Sequence, residues 1–138
     1  MTKTNVFSVN IVTPDGNVFN NENVLLAVLN TQNGELGIMA NRIPVIAALK
    51  IDRAKFQIQG QKDYETFAVN GGFAEFSDNI LSIVAPSAEN SKTIDVHRAD
   101  VAKSRAEQRV NAAKTADERR RAEVALARAI NRINTSKI

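Results

Sequence analysis

The chain has 138 residues, 43% of them apolar and 24% charged, with a formal net charge of +3, which suits one ordinary globular core with room for an appendage. It has no Cys, which excludes disulfides, thiol catalysis and Cys-ligated metal and fits a reducing compartment. No run approaches the roughly 18 apolar residues that span a bilayer, and the opening stretch MTKTNVFSVNIV lacks the sustained apolar core and small-residue cleavage site of a secretory leader.

Short strands are predicted from the start. In Val6–Ile11, Phe7, Val9 and Ile11 share one face while Ser8 and Asn10 take the other. Pro14-Asp15-Gly16-Asn17 is a turn, and Val24 to Leu29 is a continuous apolar run suited to a strand buried on both sides. Asn33-Gly34 turns the chain again, and Val45 to Leu49 is apolar. Phe56 and Ile58 alternate with Lys55, Gln57 and Gln59, and Gly60 to Asp63 turns into Tyr64 to Val69. Gly71-Gly72 interrupts, Phe73 to Phe76 resumes, Ser77-Asp78-Asn79 turns, and Ile80 to Val84 closes the set. This spacing predicts an antiparallel sandwich or barrel. No helix-period segments alternate with the strands, so a doubly wound α/β sheet is not expected.

The chain then changes character. All six Gly, all three Pro and every aromatic lie at or before Pro86. From Asp95 to Ile138 there is none of these, but there are ten Ala and eleven Lys or Arg, the composition of a helix. Residues 1–94 carry seven basic against nine acidic side chains and residues 95–138 eleven against six, so the tail is where an anionic partner would be drawn. A solvated helical face is the competing reading of that charge.

Residues 87–94 read as a polar connector, with a first helix beginning near Ile94-Asp95 and an acid in its first turn. Its apolar stripe is Val96, Ala99, Ala102, Ala106, Val110 and Ala113. Thr115-Ala116-Asp117-Glu118 fits a capping box that starts a second helix, with Ala122, Leu126, Ala129, Ile130 and Ile133 as its stripe. A connection of a few residues makes the two helices antiparallel neighbours. A hairpin packed through alanines buries little, about 0.8 kcal/mol per methyl, so it can leave its domain and bind elsewhere.

Catalysis finds no footing. His97 is the sole His, with no Cys to pair with it, and a lone helical His is usually a surface residue. There is no nucleophile elbow, metalloprotease helix or phosphate loop. Gly34-Glu35-Leu36-Gly37 and Gly71-Gly72 are turns or bulges. The tail offers more. Asp95 and Arg98 share a face at i, i+3, and Arg128 and Arg132 stand one turn apart at i, i+4. In an antiparallel hairpin the start of the first helix lies beside the end of the second, so Arg98, Arg128 and Arg132 can converge on one polyphosphate. Asp95 either accepts from a sugar hydroxyl or base amine or caps its helix. An Arg-rich solvated face competes here too, and Arg119-Arg120-Arg121 reads as one.

At these residues the sequence resembles the epsilon subunit of bacterial F-type ATP synthase. Val12-Thr-Pro-Asp-Gly16, Gly34-Glu-Leu-Gly-Ile38, Val69-Asn-Gly-Gly-Phe-Ala-Glu75 and Ala85-Pro-Ser-Ala-Glu89 match the family's strand and turn motifs in order. Ile94-Asp-Val-His-Arg-Ala99 is similar to the motif of ATP-binding members, and Ala125-Leu-Ala-Arg-Ala-Ile-Asn-Arg132 to the closing helix. The resemblance implies a β-sandwich of about ten strands over residues 1–86 that binds the gamma subunit and the c-ring. A connector and a regulatory helical hairpin then follow over residues 87–138. It implies a non-catalytic rotor subunit of a proton-translocating ATP synthase, peripheral on the cytoplasmic face of the bacterial membrane. Folded on the sandwich, the hairpin permits ATP hydrolysis; extended along gamma toward the alpha/beta catalytic head, it inhibits it. ATP is then a regulatory ligand of the folded form, held by Glu89, Asp95, Arg98, Arg128 and Arg132, with no metal or redox cofactor. Glu35 and Arg42 are the implied c-ring contacts. Where the family usually has Gly-His before the Pro of its ring-facing loop, this chain has Asn41-Arg42-Ile43-Pro44. Arg119, Arg120 and Arg121 are the expected inhibitory contacts with acidic surface on the head. The competing reading is a basic-tailed nucleic-acid-binding or adaptor module; six tail acids and no tail aromatic to stack a base argue against nucleic acid.

Overall fold

The computed structural model describes residues 5–137; the first four residues of the stretch read as lacking a leader, and the last residue of the hairpin span, lie outside it. Nine strands precede two helices: β1 (Phe7–Thr13), β2 (Gly16–Thr31), β3 (Gly34–Ile38), β4 (Val45–Ala48), β5 (Ile51–Ile58), β6 (Glu65–Asn70), β7 (Phe73–Ser77), β8 (Ile80–Val84), β9 (Ala88–Asn90), α1 (Val96–Ala112) and α2 (Ala116–Ser136). This is the β-sandwich followed by an α-hairpin that the sequence predicts, with nine strands among the described residues. β2 runs unbroken for 16 residues. Part of the segment read as a connector joins the sheet as β9, before a 3-10 turn at Ser91–Thr93.

Two equivalent turns frame β2. Thr13 Oγ accepts from the Asp15 N–H at 3.2 Å and donates to the Gly16 carbonyl. Thr31 repeats this with Asn33 and Gly34. Such hydroxyl-closed turns fix register at both ends of the strand. The strands are ordered β4-β7-β8-β1-β2-β5-β6-β9, with β3 also on β2. The β1·β8 pair is parallel and the others are antiparallel. β2 belongs to both layers: its first half pairs with β1, its second with β3 and β5.

The core between the layers is drawn from β-segment residues alone. Phe7 meets Phe76 edge-on at 5.5 Å between ring centroids, and Phe19 packs on Phe56 and Phe67 at 5.4 and 4.8 Å. Burying these rings is the main apolar contribution, with about 0.5–1.5 kcal/mol more for each favourable ring pair. The alternation Arg53, Lys55 against Ala54, Phe56 sends the charged residues of β5 to the outer face. In register, Arg53 is opposite Ala68, and Ala68 is opposite Glu89.

The two helices pack through Ala99, Ala106, Ala122 and Ala129, all buried, as the predicted stripes require. Val96 and Ile130, expected in those stripes, are instead exposed. Small residues let the helix axes approach closely, and that leaves bulkier side chains at the margins of the stripe outside the seam. The Thr115 hydroxyl accepts from the Glu118 N–H at 3.1 Å as a capping box requires, but the Glu118 carboxylate takes the Lys114 N–H at 3.0 Å, one residue before the cap. It still satisfies a free donor at the helix entry.

Gly72 is fixed by backbone contact. Its φ is +95°, and a Cβ there would lie 2.0 Å from the Val84 carbonyl oxygen. Gly72→Ala is expected to destabilise the sandwich by about 2–4 kcal/mol. A urea midpoint that falls at unchanged slope would bear this out; an unmoved midpoint would refute it.

Candidate functional site

The outer face of β5, β6 and β9 is where the hairpin sits. Ala68, at 0% exposure, and Asn70, at 4%, point away from the core yet are covered, because α2 lies against β5 and β6. Two side chains of α2 make the polar contacts. Arg132 reaches across to Glu89: Nε lies 2.7 Å from Oε1 and Nη2 donates to Oε2 at 3.2 Å. The side chains are 17% and 32% exposed, so this bridge is less screened than a surface pair, and charge-assisted contacts of this kind contribute on the order of 1–3 kcal/mol.

Asn131, at 5% exposure, is the second contact. Its Nδ2 lies within hydrogen-bonding distance of the Asp52 carbonyl (3.2 Å), the Val69 carbonyl (3.3 Å) and Asn70 Oδ1 (3.3 Å). Its Oδ1 accepts from Thr135 at 3.3 Å, and Asn70 passes the chain on by donating to Ser87 Oγ at 2.8 Å. One amide therefore ties α2 to β5 and β6. The sequence reading did not single out Asn131. The available signal was an Asn and a Thr at i, i+4 inside a helix, residue types that the helix interior does not favour.

The other residues proposed for a polyphosphate are distributed as follows. Asp95 is the N-cap of α1, and its Oδ1 accepts from the Arg98 N–H at 3.0 Å. Capping, one of the two roles open for Asp95, is thus realised through one of its oxygens. The Arg98 and Arg128 side chains are exposed. The structure brings Glu89 to Arg132 and Asp95 to the Arg98 backbone; among the described residues it forms no hydrogen bond or ion pair between these two pairs, or from Arg128 to either.

Within the Arg trio of α2, Arg119 pairs with Glu123 at 3.2 Å and Arg120 stands 3.9 Å from Asp117, both on the helix surface. Arg121 has no ion-pair partner among the described residues. His97 is exposed.

A second surface lies at the other edge of the sheet. Between β3 and β4, Met39 is 62% and Ile43 77% exposed, and Ile46 on β4 is 73% exposed. Asn41 has a positive φ of 66° and is held by Asn79: its N–H donates to Asn79 Oδ1 at 2.6 Å, and Asn79 Nδ2 donates back at 3.0 Å. The loop is thus anchored to the β7–β8 turn. Arg42 folds onto its own loop, Nη1 donating to the Ile43 carbonyl at 2.9 Å, and Glu35 is exposed on β3.

Residues 6–91 match the family described as ATP synthase, Delta/Epsilon chain, beta-sandwich domain, and residues 92–137 its long alpha-helix domain. The chain belongs to the ATP synthase delta/epsilon family. It is 50% identical over 140 aligned residues to the ATP synthase epsilon chain of Pediococcus pentosaceus, covering 99% of each chain. It is 47% identical to that of Ligilactobacillus salivarius, again over 99% of each. In fold it is similar to a chain of the mitochondrial ATP synthase OSCP/F1/c-ring assembly of Euglena gracilis, with a TM-score of 0.78 at 20% identity, covering 95% of this chain and 81% of that one. The resemblance first drawn from short motifs thus holds over nearly the whole length.

Asn131→Leu tests how this family member holds its hairpin. It removes the amide and leaves the β5 and β6 acceptors without it, at a cost of about 1–3 kcal/mol to docking. Amide hydrogen exchange is expected to accelerate roughly tenfold or more in the last two turns of α2 while β5 and β6 stay protected. Unchanged exchange in α2 would show that the amide does not hold the helix.

Proposed function

We propose that this chain is a non-catalytic central-stalk subunit of a proton-translocating ATP synthase, peripheral on the cytoplasmic membrane face, whose hairpin restrains ATP hydrolysis when it leaves the sandwich. The β body binds the gamma subunit and, through the β3–β4 loop with Glu35 and Arg42, the c-ring. The released hairpin offers Arg119, Arg120 and Arg121 to acidic surface on the alpha/beta head. ATP stabilises the docked form through Glu89, Asp95, Arg98, Arg128 and Arg132.

The observation that carries this reading is the polar docking of α2. The hairpin adds no residue to the sandwich core, and its hydrogen bonds and ion pair to the body run through Asn131 and Arg132. Release therefore exchanges these polar contacts for water and uncovers the outer face at Ala68, but withdraws no side chain from the core. A ligand that binds the docked form alone adds RT ln(1 + [L]/Kd), about 2.7 kcal/mol at a hundredfold excess over Kd. That is comparable to the polar contacts themselves and is enough to shift the balance. The arrangement also separates the roles of the arginines. Arg132 is already placed beside Glu89, the two members of the ATP set that the docked form holds together, whereas Arg98 and Arg128 are exposed.

ATP titrated against the isolated full chain tests the nucleotide role. Arg128→Ala and Arg132→Ala are each expected to weaken binding at least tenfold. Arg132→Ala also speeds exchange in α2 without ATP, because it breaks the bridge to Glu89, and Arg128→Ala does not. Equal affinities in all three proteins would remove the nucleotide role. Regulation is read separately in the reassembled synthase. Replacing Arg119, Arg120 and Arg121 by Gln is expected to relieve the restraint on hydrolysis, and unchanged inhibition would reject that contact.

A further inference from the structure

Beyond the end of α2, the same outer face of β5 and β6 opens into a cleft of about 810 Å³, within the range of small-molecule sites. Three elements bring cations to it: Arg53 and Lys55 from β5, Lys62 from the β5–β6 connection, and Lys92 from the 3-10 turn. Two carboxylates, Asp63 and Glu65, also line it, and Glu65 accepts a hydrogen bond from the Asn90 amide. Among the described residues none of the four cations forms an ion pair. The cleft is thus a concentration of uncommitted positive charge on a body segment that is acidic on balance.

Two further observations point to a ligand. Thr66, directly opposite Lys55 in the β5·β6 register, is 2% exposed, lines the cleft, and its Oγ1 has no hydrogen-bond partner. A buried hydroxyl without a partner is uncommon and asks for an acceptor or donor at that point. Tyr64 turns its ring to the same cleft, with Lys55 Nζ 5.5 Å from the ring centroid, so one wall is an aromatic face that already carries a cation.

We infer that this cleft binds a diphosphate or triphosphate group, at a site separate from the arginines of the hairpin. Arg53, Lys55, Lys62 and Lys92 would donate charge-assisted hydrogen bonds to the phosphoryl oxygens above the buried Thr66. A ligand held by Lys92 as well as by β5 bridges the body to the segment that leads into α1.

Tyr64 is the chain's single Tyr and there is no Trp, so intrinsic fluorescence reports on this cleft. Pyrophosphate titrated against the full chain is expected to give a saturable change. The same affinity is expected in the Arg128→Ala/Arg132→Ala variant, and an affinity about tenfold weaker in Lys55→Met and in Lys92→Met. Lys62→Ala, at an exposed turn, repeats the test where a strand substitution disturbs folding. ADP is titrated in parallel: affinity equal to that of pyrophosphate assigns the site to phosphoryl groups alone, and tighter ADP adds the Tyr64 ring as a platform for the base. The inference is overturned by a response that sodium chloride of equal ionic strength reproduces, by ADP binding without pyrophosphate binding, by loss of the signal in the hairpin variant, or by Lys55→Met, Lys92→Met and Lys62→Ala all binding as the parent does. The hairpin variant separates this site from the proposed nucleotide role, since either can fail while the other stands.

Discussion

The docking of α2 by one buried amide and one ion pair is the constraint on which the rest of the molecule depends. A hairpin that shared the sandwich core would be inseparable from it, because each large apolar side chain withdrawn would give up about 1.5–3 kcal/mol. Here the phenylalanines all belong to the body, and the helices bury mainly alanines against each other. The hairpin is therefore self-contained along its seam and only locally attached to its neighbour. Buried polar contacts suit such an attachment. They specify position closely, since an unpaired amide is costly inside the interface, yet water replaces them when the interface opens.

The connector follows the same logic. Asn90 accepts from the Lys92 N–H at 2.9 Å and offers its carbonyl to the Thr93 hydroxyl at 3.1 Å, and its amide is bonded to Glu65 on β6. The chain is thus tied to the sheet through the 3-10 turn. Asp95 then caps α1 from the helical side. Between these two fastened points Ile94 and Asp95 are both extended, with ψ of 126° and 100°. The turn is thus bonded to the body and the cap to the helix. Asp95 in this view has a mechanical task, keeping the first turn of α1 intact, beside any contact it makes with a ligand.

Much of this was legible in the sequence, for identifiable reasons. The strands followed from alternation such as Phe7-Ser8-Val9-Asn10-Ile11 and from glycine-marked turns, and the helices from alanine content and the Thr115 cap. The continuity of β2 was not legible, because Asn20 to Asn23 look like a turn by composition; pairing with β1 carries the strand through them, and the local preference survives as a register shift where the Asn23 N–H donates to Asn21 Oδ1. The strand β9 was hidden in the same way, since Ala88 to Asn90 have no strand pattern of their own and are recruited by the free edge of β6. The Glu89–Arg132 contact joins residues 43 positions apart, and the Asn131 contacts join residues 61 to 79 apart. No local rule brings such pairs together. Charge spacing on α2 indicated which arginines face one way, but not that Glu89 would already hold one of them.

The sheet order has a further consequence for how the attachments coexist. β4 and β9 stand at opposite ends of the strand order, so the β3–β4 loop with Met39 and Ile43 and the hairpin seat at Glu89 occupy different edges of one rigid body. The loop displays its apolar side chains on a defined backbone. The reciprocal Asn41–Asn79 hydrogen bonds fix it, holding two exposed apolar side chains on a loop whose backbone sits in the left-handed region at Asn41. The hairpin seat is held instead by few contacts of high specificity, those of Asn131 and Arg132. Opening the hairpin seat withdraws no side chain from the phenylalanine core between the edges. One small fold thereby joins an edge whose exposed apolar loop is fixed by paired side-chain hydrogen bonds to an edge where a helix is held by satisfied polarity.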